Sequence, residues 1–115
     1  MKRYSLITLV FISQFIFTSC EKKQSNIITS QSADEKLKIS IQAERYTSLD
    51  PWLVSIVLYD KDNTIATAKQ EIQAEEISER NVNFTWSNTS SCTIKFTQTD
   101  GSQIKVPVTV EYVSN

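Results

Sequence analysis

From Leu37 onward the apolar residues of this chain recur at every second position, and that period decides what it can fold into. Leu37, Ile39, Ile41 and Ala43 alternate with Lys38, Ser40, Gln42 and Glu44. Successive side chains of a strand point to opposite faces, so such a run buries one face and wets the other. Val82, Phe84 and Trp86 repeat the pattern, as do Cys92, Ile94 and Phe96. Ile104, Val106, Val108, Val110 and Tyr112 repeat it again. Trp52 to Tyr59, WLVSIVLY, is apolar on both parities apart from Ser55, which suits a strand in the middle of a fold.

The segments between these runs carry turn chemistry. Asp60-Lys61-Asp62-Asn63 separates the apolar strand from a weaker one at Thr64 to Ile72, whose Lys69 and Glu71 suit a sheet edge. Ser87 to Ser91 turns the chain. Asp100-Gly101 contains the single glycine and reads as a hairpin, because Gly accepts the positive φ that tight turns demand. Pro107 has no N–H to donate, which puts the last strand at an edge or gives it a bulge. Gln73 to Arg80, QAEEISER, breaks the period and reads as a short helical turn or a crossover between sheets. Residues 37–115 therefore predict an all-β fold, an antiparallel two-layer β-sandwich of six to seven strands. Its architecture would be immunoglobulin-like or transthyretin-like, with a small closed barrel as the alternative.

The first twenty residues have a different logic. Lys2 and Arg3 precede an apolar run from Leu6 to Phe17, interrupted only by Thr8, Ser13 and Gln14. Small Thr18 and Ser19 then lead into Cys20, the pattern of a cleaved secretory leader. The run is shorter than the roughly 20 apolar residues a spanning helix needs. Phe17-Thr18-Ser19-Cys20 resembles the lipobox of bacterial lipoproteins, with Phe where Leu is commonest. The resemblance implies that residues 1–19 are removed and that Cys20 becomes an acylated amino terminus carrying fatty chains such as palmitate. Two or more such chains anchor a protein durably where one does not. It further implies residence in the bacterial cell envelope, at the outer membrane facing periplasm or surface. Residues 20–36 are polar and aperiodic after the Cys and read as a lipidated flexible tether, with a short edge strand at Asn26 to Thr29 as the one addition.

Several chemistries are disfavoured. The chain has no His, and its 12 basic residues are outnumbered by 13 acidic ones, all beyond the leader. Nucleic-acid binding rests on Lys and Arg neutralising phosphates, so no nucleic acid is expected. A Ser or Cys nucleophile would lack the usual base, and zinc its usual ligands. With Cys20 acylated, Cys92 has no intrachain partner, and its parity with Ile94 and Phe96 places it in the core. Glu75 and Glu76 are adjacent, a spacing at which acid and base seldom converge on one atom, and read as a solvated run. Asp60-Lys61-Asp62-Asn63 starts like a calcium loop but lacks its glycine and later bidentate Glu, so it reads as a turn. No catalytic residue, metal or cofactor is expected.

Aromatics remain. Tyr46, in the loop RYTSLDP, and Trp52, at the start of a strand, could each present a ring to a sugar or a partner protein. Trp52 also shares the inward parity of its strand and could be core; Trp86 is assigned to the core. The expectation is a lipid-anchored, non-enzymatic cell-envelope binding protein, either an inhibitor or immunity protein or an accessory subunit of an envelope complex. It would meet the membrane through acylated Cys20 and a protein partner through its strand loops or the Thr64–Ile72 edge. The alternative is a carbohydrate-binding module at the cell surface using Tyr46 and Trp52.

Overall fold

The computed structural model describes residues 22–111, so the leader, Cys20 and Tyr112 lie outside the described residues. Eight strands follow in order: β1 (Lys23–Gln24), β2 (Ile28–Gln31), β3 (Leu37–Arg45), β4 (Trp52–Asp60), β5 (Asn63–Ile72), β6 (Val82–Asn88), β7 (Ser91–Thr97) and β8 (Gln103–Thr109). All pair antiparallel in two sheets, giving the expected two-layer sandwich. In the first sheet β3, β4 and β5 form a meander, and β1 and β2 line up end to end along the outer edge of β3. The second sheet is the meander β6-β7-β8. The chain passes from one sheet to the other once among these meanders, through residues 73–81.

The two-residue period places the core. Ile39, Ile41 and Ala43 of β3 and Val54 of β4 are at most 1% exposed, facing Ile94 and Phe96 of β7 at 0%. β4 runs between β3 and β5, with Trp52, Val54, Ile56 and Leu58 buried inward and Leu53, Val57 and Tyr59 half-buried on the outer face. The turn after it is tight: Asp60 pairs with Asn63, and Lys61 takes a φ of 55°. One extra residue then interrupts the ladder. Tyr59 pairs with Thr64 and Leu58 with Ala66, leaving Ile65 as the unpaired residue of a bulge.

Two expectations need correction. Residues 22–36 are not a loose tether, because Lys23 pairs with Arg45, and Ile28 to Gln31 pair with Ile41 to Lys38. Ile28 is buried in the core, and Trp86 Nε1 donates to Ser30 Oγ at 2.9 Å from the opposite sheet. The folded domain thus includes Lys23 onward rather than starting at Leu37. Residues 73–80 form the expected crossover between the sheets, and it ends in a single turn where the Ser78 carbonyl accepts from the N–H groups of Asn81 and Val82. Buried Ile77 pins this crossover to the core, and Asn81 Oδ1 accepts from the Ser78 N–H at 2.9 Å to turn it. The hairpin at Asp100-Gly101 is also wider than two residues. The Gly101 N–H donates to the Gln98 carbonyl and Gly101 takes a φ of 87°, a turn followed by a left-handed glycine.

Candidate functional site

The two sheets are unequal, and the inequality makes a site. β6 lies over β2 and β3, as the Trp86–Ser30 bond shows, and β8 lies over the β4–β5 side. The first sheet therefore has four columns of strand and the second only three. Among the described residues nothing in the second sheet covers the inward face of β5 at Ala66 and Ala68, although the same face is buried at its far end by Ile72. Ile56 and Leu58 of β4 form the floor of the resulting cleft, Ala66 and Ala68 of β5 one wall, and Val106 and Val108 of β8 the other. Its volume is about 230 Å³. Small alanines at inward positions keep it open, since larger side chains there would fill the gap themselves.

Both strands flanking this cleft have an unpaired outer edge among the described residues. The edges differ in chemistry. The Gln98 N–H donates to the Ser102 carbonyl and the Val110 N–H to the Ser90 carbonyl, so even-numbered residues of β8 bond towards β7. The Thr93–Pro107 pair lies between those bonds, and the nitrogen of Pro107 faces outward. Pro107 thus removes one donor from the outer edge of β8 at mid-strand. β5 has no proline, and Asn63 to Lys69 are exposed on both faces. Lys69 and Glu71 are the charges that discourage indiscriminate pairing there.

The second candidate region is the loop end at Tyr46. Tyr46 is 61% exposed and Leu49 90%, whereas Trp52 is only 5% exposed. The Arg45 guanidinium lies 4.3 Å from the Trp52 ring centroid. Arg45 also donates from Nη1 to the Ala74 carbonyl at 3.2 Å and from Nη2 to the Glu75 carbonyl at 2.9 Å. Trp52 Nε1 donates to the same Ala74 carbonyl at 3.1 Å. Together Arg45 and Trp52 fasten the start of the crossover to the first sheet. The Trp52 ring is core and is not available to stack on a sugar, which leaves Tyr46 as the exposed ring of the pair. Arg45 was invisible to sequence reasoning because its partners are backbone carbonyls some thirty positions away.

The remaining chemistry-bearing residues do not converge. Glu75 and Glu76 are exposed, and Glu76 pairs at 4.0 Å with the still more exposed Arg80. Cys92 is buried between Trp86 and Val108 in the ladder, and burial pushes its thiol up, away from the reactive thiolate. Among the described residues no three His, Cys, Asp or Glu side chains group closely enough to hold a metal ion. Comparison of the chain with protein-family models, with curated proteins and with solved structures finds no match.

Proposed function

We propose that this protein is a lipid-anchored, non-enzymatic binding protein of the bacterial cell envelope, whose β5 edge and adjoining cleft receive an extended segment of a protein partner. The carrying observation is the uncovered stretch of β5 at Ala66 and Ala68, whose inward side chains lie exposed beside an apolar floor. A guest strand added to β5 would gain main-chain hydrogen bonds, and its alternate side chains would enter the cleft. That mode suits an inhibitor or immunity protein, or an accessory subunit. The lipobox-like Phe17-Thr18-Ser19-Cys20 supports the anchor and the compartment. The carbohydrate alternative retains only Tyr46, since one exposed ring gives a sugar a single stacking surface.

Photo-crosslinking in the native membrane tests the contact. A crosslinker at Thr67, on β5, should capture a discrete protein, and one at Ser40, on β3, should not. Ala68→Arg should abolish the Thr67 product. Equal products from both positions would rule out the β5 edge. Glycan binding that survives Ala68→Arg and is lost in Tyr46→Ala would favour the sugar reading.

A further inference from the structure

The place where the chain enters the fold determines which end faces the lipid. β1 pairs Lys23 with Arg45 and Gln24 with Glu44, at the end of the sheet where β3 turns into β4. Lys22 Nζ reaches Glu44 Oε2 at 3.4 Å and lies 6.0 Å from the Tyr46 ring centroid. Cys20 precedes Lys22 by two residues. Consecutive Cα atoms are about 3.8 Å apart, so the Cα of Cys20 cannot lie more than about 7.6 Å from that of Lys22. Acyl chains on that residue would leave no room for the domain to stand away from the bilayer.

We infer that the β3–β4 loop, led by Leu49 and Tyr46, is a membrane-contact surface that seats the domain directly on the lipid. This rests on the acylation of Cys20 proposed above. Among the described residues Leu49 is the most exposed large hydrophobic side chain, and Tyr46, three positions earlier in the same loop, is exposed as well. A phenol belongs at the headgroup level, with its ring in the apolar boundary and its hydroxyl in water. The loop is preformed to present Leu49. The Thr47 N–H donates to Asp50 Oδ2 at 3.0 Å, and Thr47 Oγ1 accepts from the Leu49 N–H at 3.2 Å. Lys22 and Lys23 favour anionic headgroups, whereas Glu44, Asp50 and Glu75 at the same end oppose them. The surface therefore suits a largely zwitterionic bilayer held by apolar contact. The Lys61–Asp62 turn, at the other end of β4, then points away from the lipid and leaves the outer half of the cleft accessible.

The test uses the full acylated chain in phosphatidylethanolamine-rich vesicles, in a Cys92→Ala background, with an environment-sensitive fluorophore at Leu49→Cys or at Asp62→Cys. Position 49 should shift to shorter wavelength and be quenched by lipids brominated along their chains, while position 62 stays aqueous. A label at Ser48→Cys, in the same loop, should show the same quenching and lose it when Leu49→Asp is added. Mass spectrometry of the same samples reports acylation separately. Acylated protein with position 49 as aqueous as position 62 overturns the inference and leaves the anchor intact. An unmodified Cys20 removes both.

Discussion

Ala43 and Ala68 occupy equivalent places in the alternation of their strands, yet they meet opposite environments. Both have inward parity, on β3 and β5 of one sheet, opposite Val54 and Ile56 of β4. Ala43 is 1% exposed, whereas Ala68 lies open to solvent. On the β3 side the second sheet closes over the first, and Trp86 hydrogen-bonds across to Ser30. Among the described residues no further strand lies beyond β8 to close over β5. Parity tells a side chain which way to face; burial requires something opposite. The closed side holds the fold together, and the open side is left for something else to complete.

Charge substitution gives the widest separation between the two sides. Ala43→Lys places an unpaired ammonium in the core and is expected to cost about 3–5 kcal/mol. Ala68→Lys should stay within about 0.5 kcal/mol of the parent, as a solvated surface change does. Urea unfolding of the two variants measures both. A large loss at Ala68 would mean that the cleft is closed in solution. Next in size is Arg45→Met, which keeps apolar packing on Trp52 but removes the cation over its ring and both bonds to the crossover. Hydrogen bonds from a charged group are worth about 1.5–3 kcal/mol each, and partial exposure puts the expected loss at the lower end. Hydrogen exchange should quicken at residues 73–81 and stay unchanged in β3; uniform quickening would count against a local clamp. Trp86→Phe removes the donor to Ser30 together with part of a half-buried ring and should cost about 1–2 kcal/mol. If that variant leaves β2 protection unaltered, the closed side depends on apolar packing alone.

The closed side was largely legible in the amino-acid order. Alternation at Leu37 to Ala43, at Cys92 to Phe96 and at Ile104 to Val108 marked strands and their inward faces, and continuous apolarity marked β4 as central. Lys69 and Glu71 correctly placed β5 at an edge, because charge on an outer strand is a local signal. The rest depended on distant partners. The polar stretch before Leu37 was legible only as the short edge strand expected at Asn26 to Thr29, which lies at Ile28–Gln31; the rest pairs through its backbone, which composition does not encode. Ile77 ties down the crossover only because a core lies beneath it. The cleft follows from a count of strands in two sheets, a property no window of residues contains. Trp52 was legible in parity, but Arg45, which covers its ring, was not.

Acid should separate two carboxylates of the connecting turns by a smaller margin. Asp34 lies between β2 and β3 on the closed side, where its Oδ1 accepts from Ser32 Oγ at 2.6 Å and from the Lys36 N–H at 3.2 Å. Asp100 lies between β7 and β8, accepting from Ser102 Oγ at 2.6 Å and the Ser102 N–H at 2.9 Å. The serine hydroxyl is the leading cause in each case, and both carboxyls are held below the usual aspartate range. A folded-state pKa below the unfolded value of about 3.9 stabilises the fold above that pH, and the gain is lost as pH falls through the folded value. Asp34→Asn and Asp100→Asn should therefore each lower Tm slightly at pH 7 and converge on the parent towards pH 2. Ser32 is itself buried and its Oγ also accepts from the Leu37 N–H at 3.1 Å, so Asp34 steadies a turn that enters the core. Ser102 is exposed in the β7–β8 loop. The Tm difference at pH 7 should accordingly be larger for Asp34→Asn than for Asp100→Asn, and the reverse order would show that acid sensitivity does not follow the closed side of the sandwich.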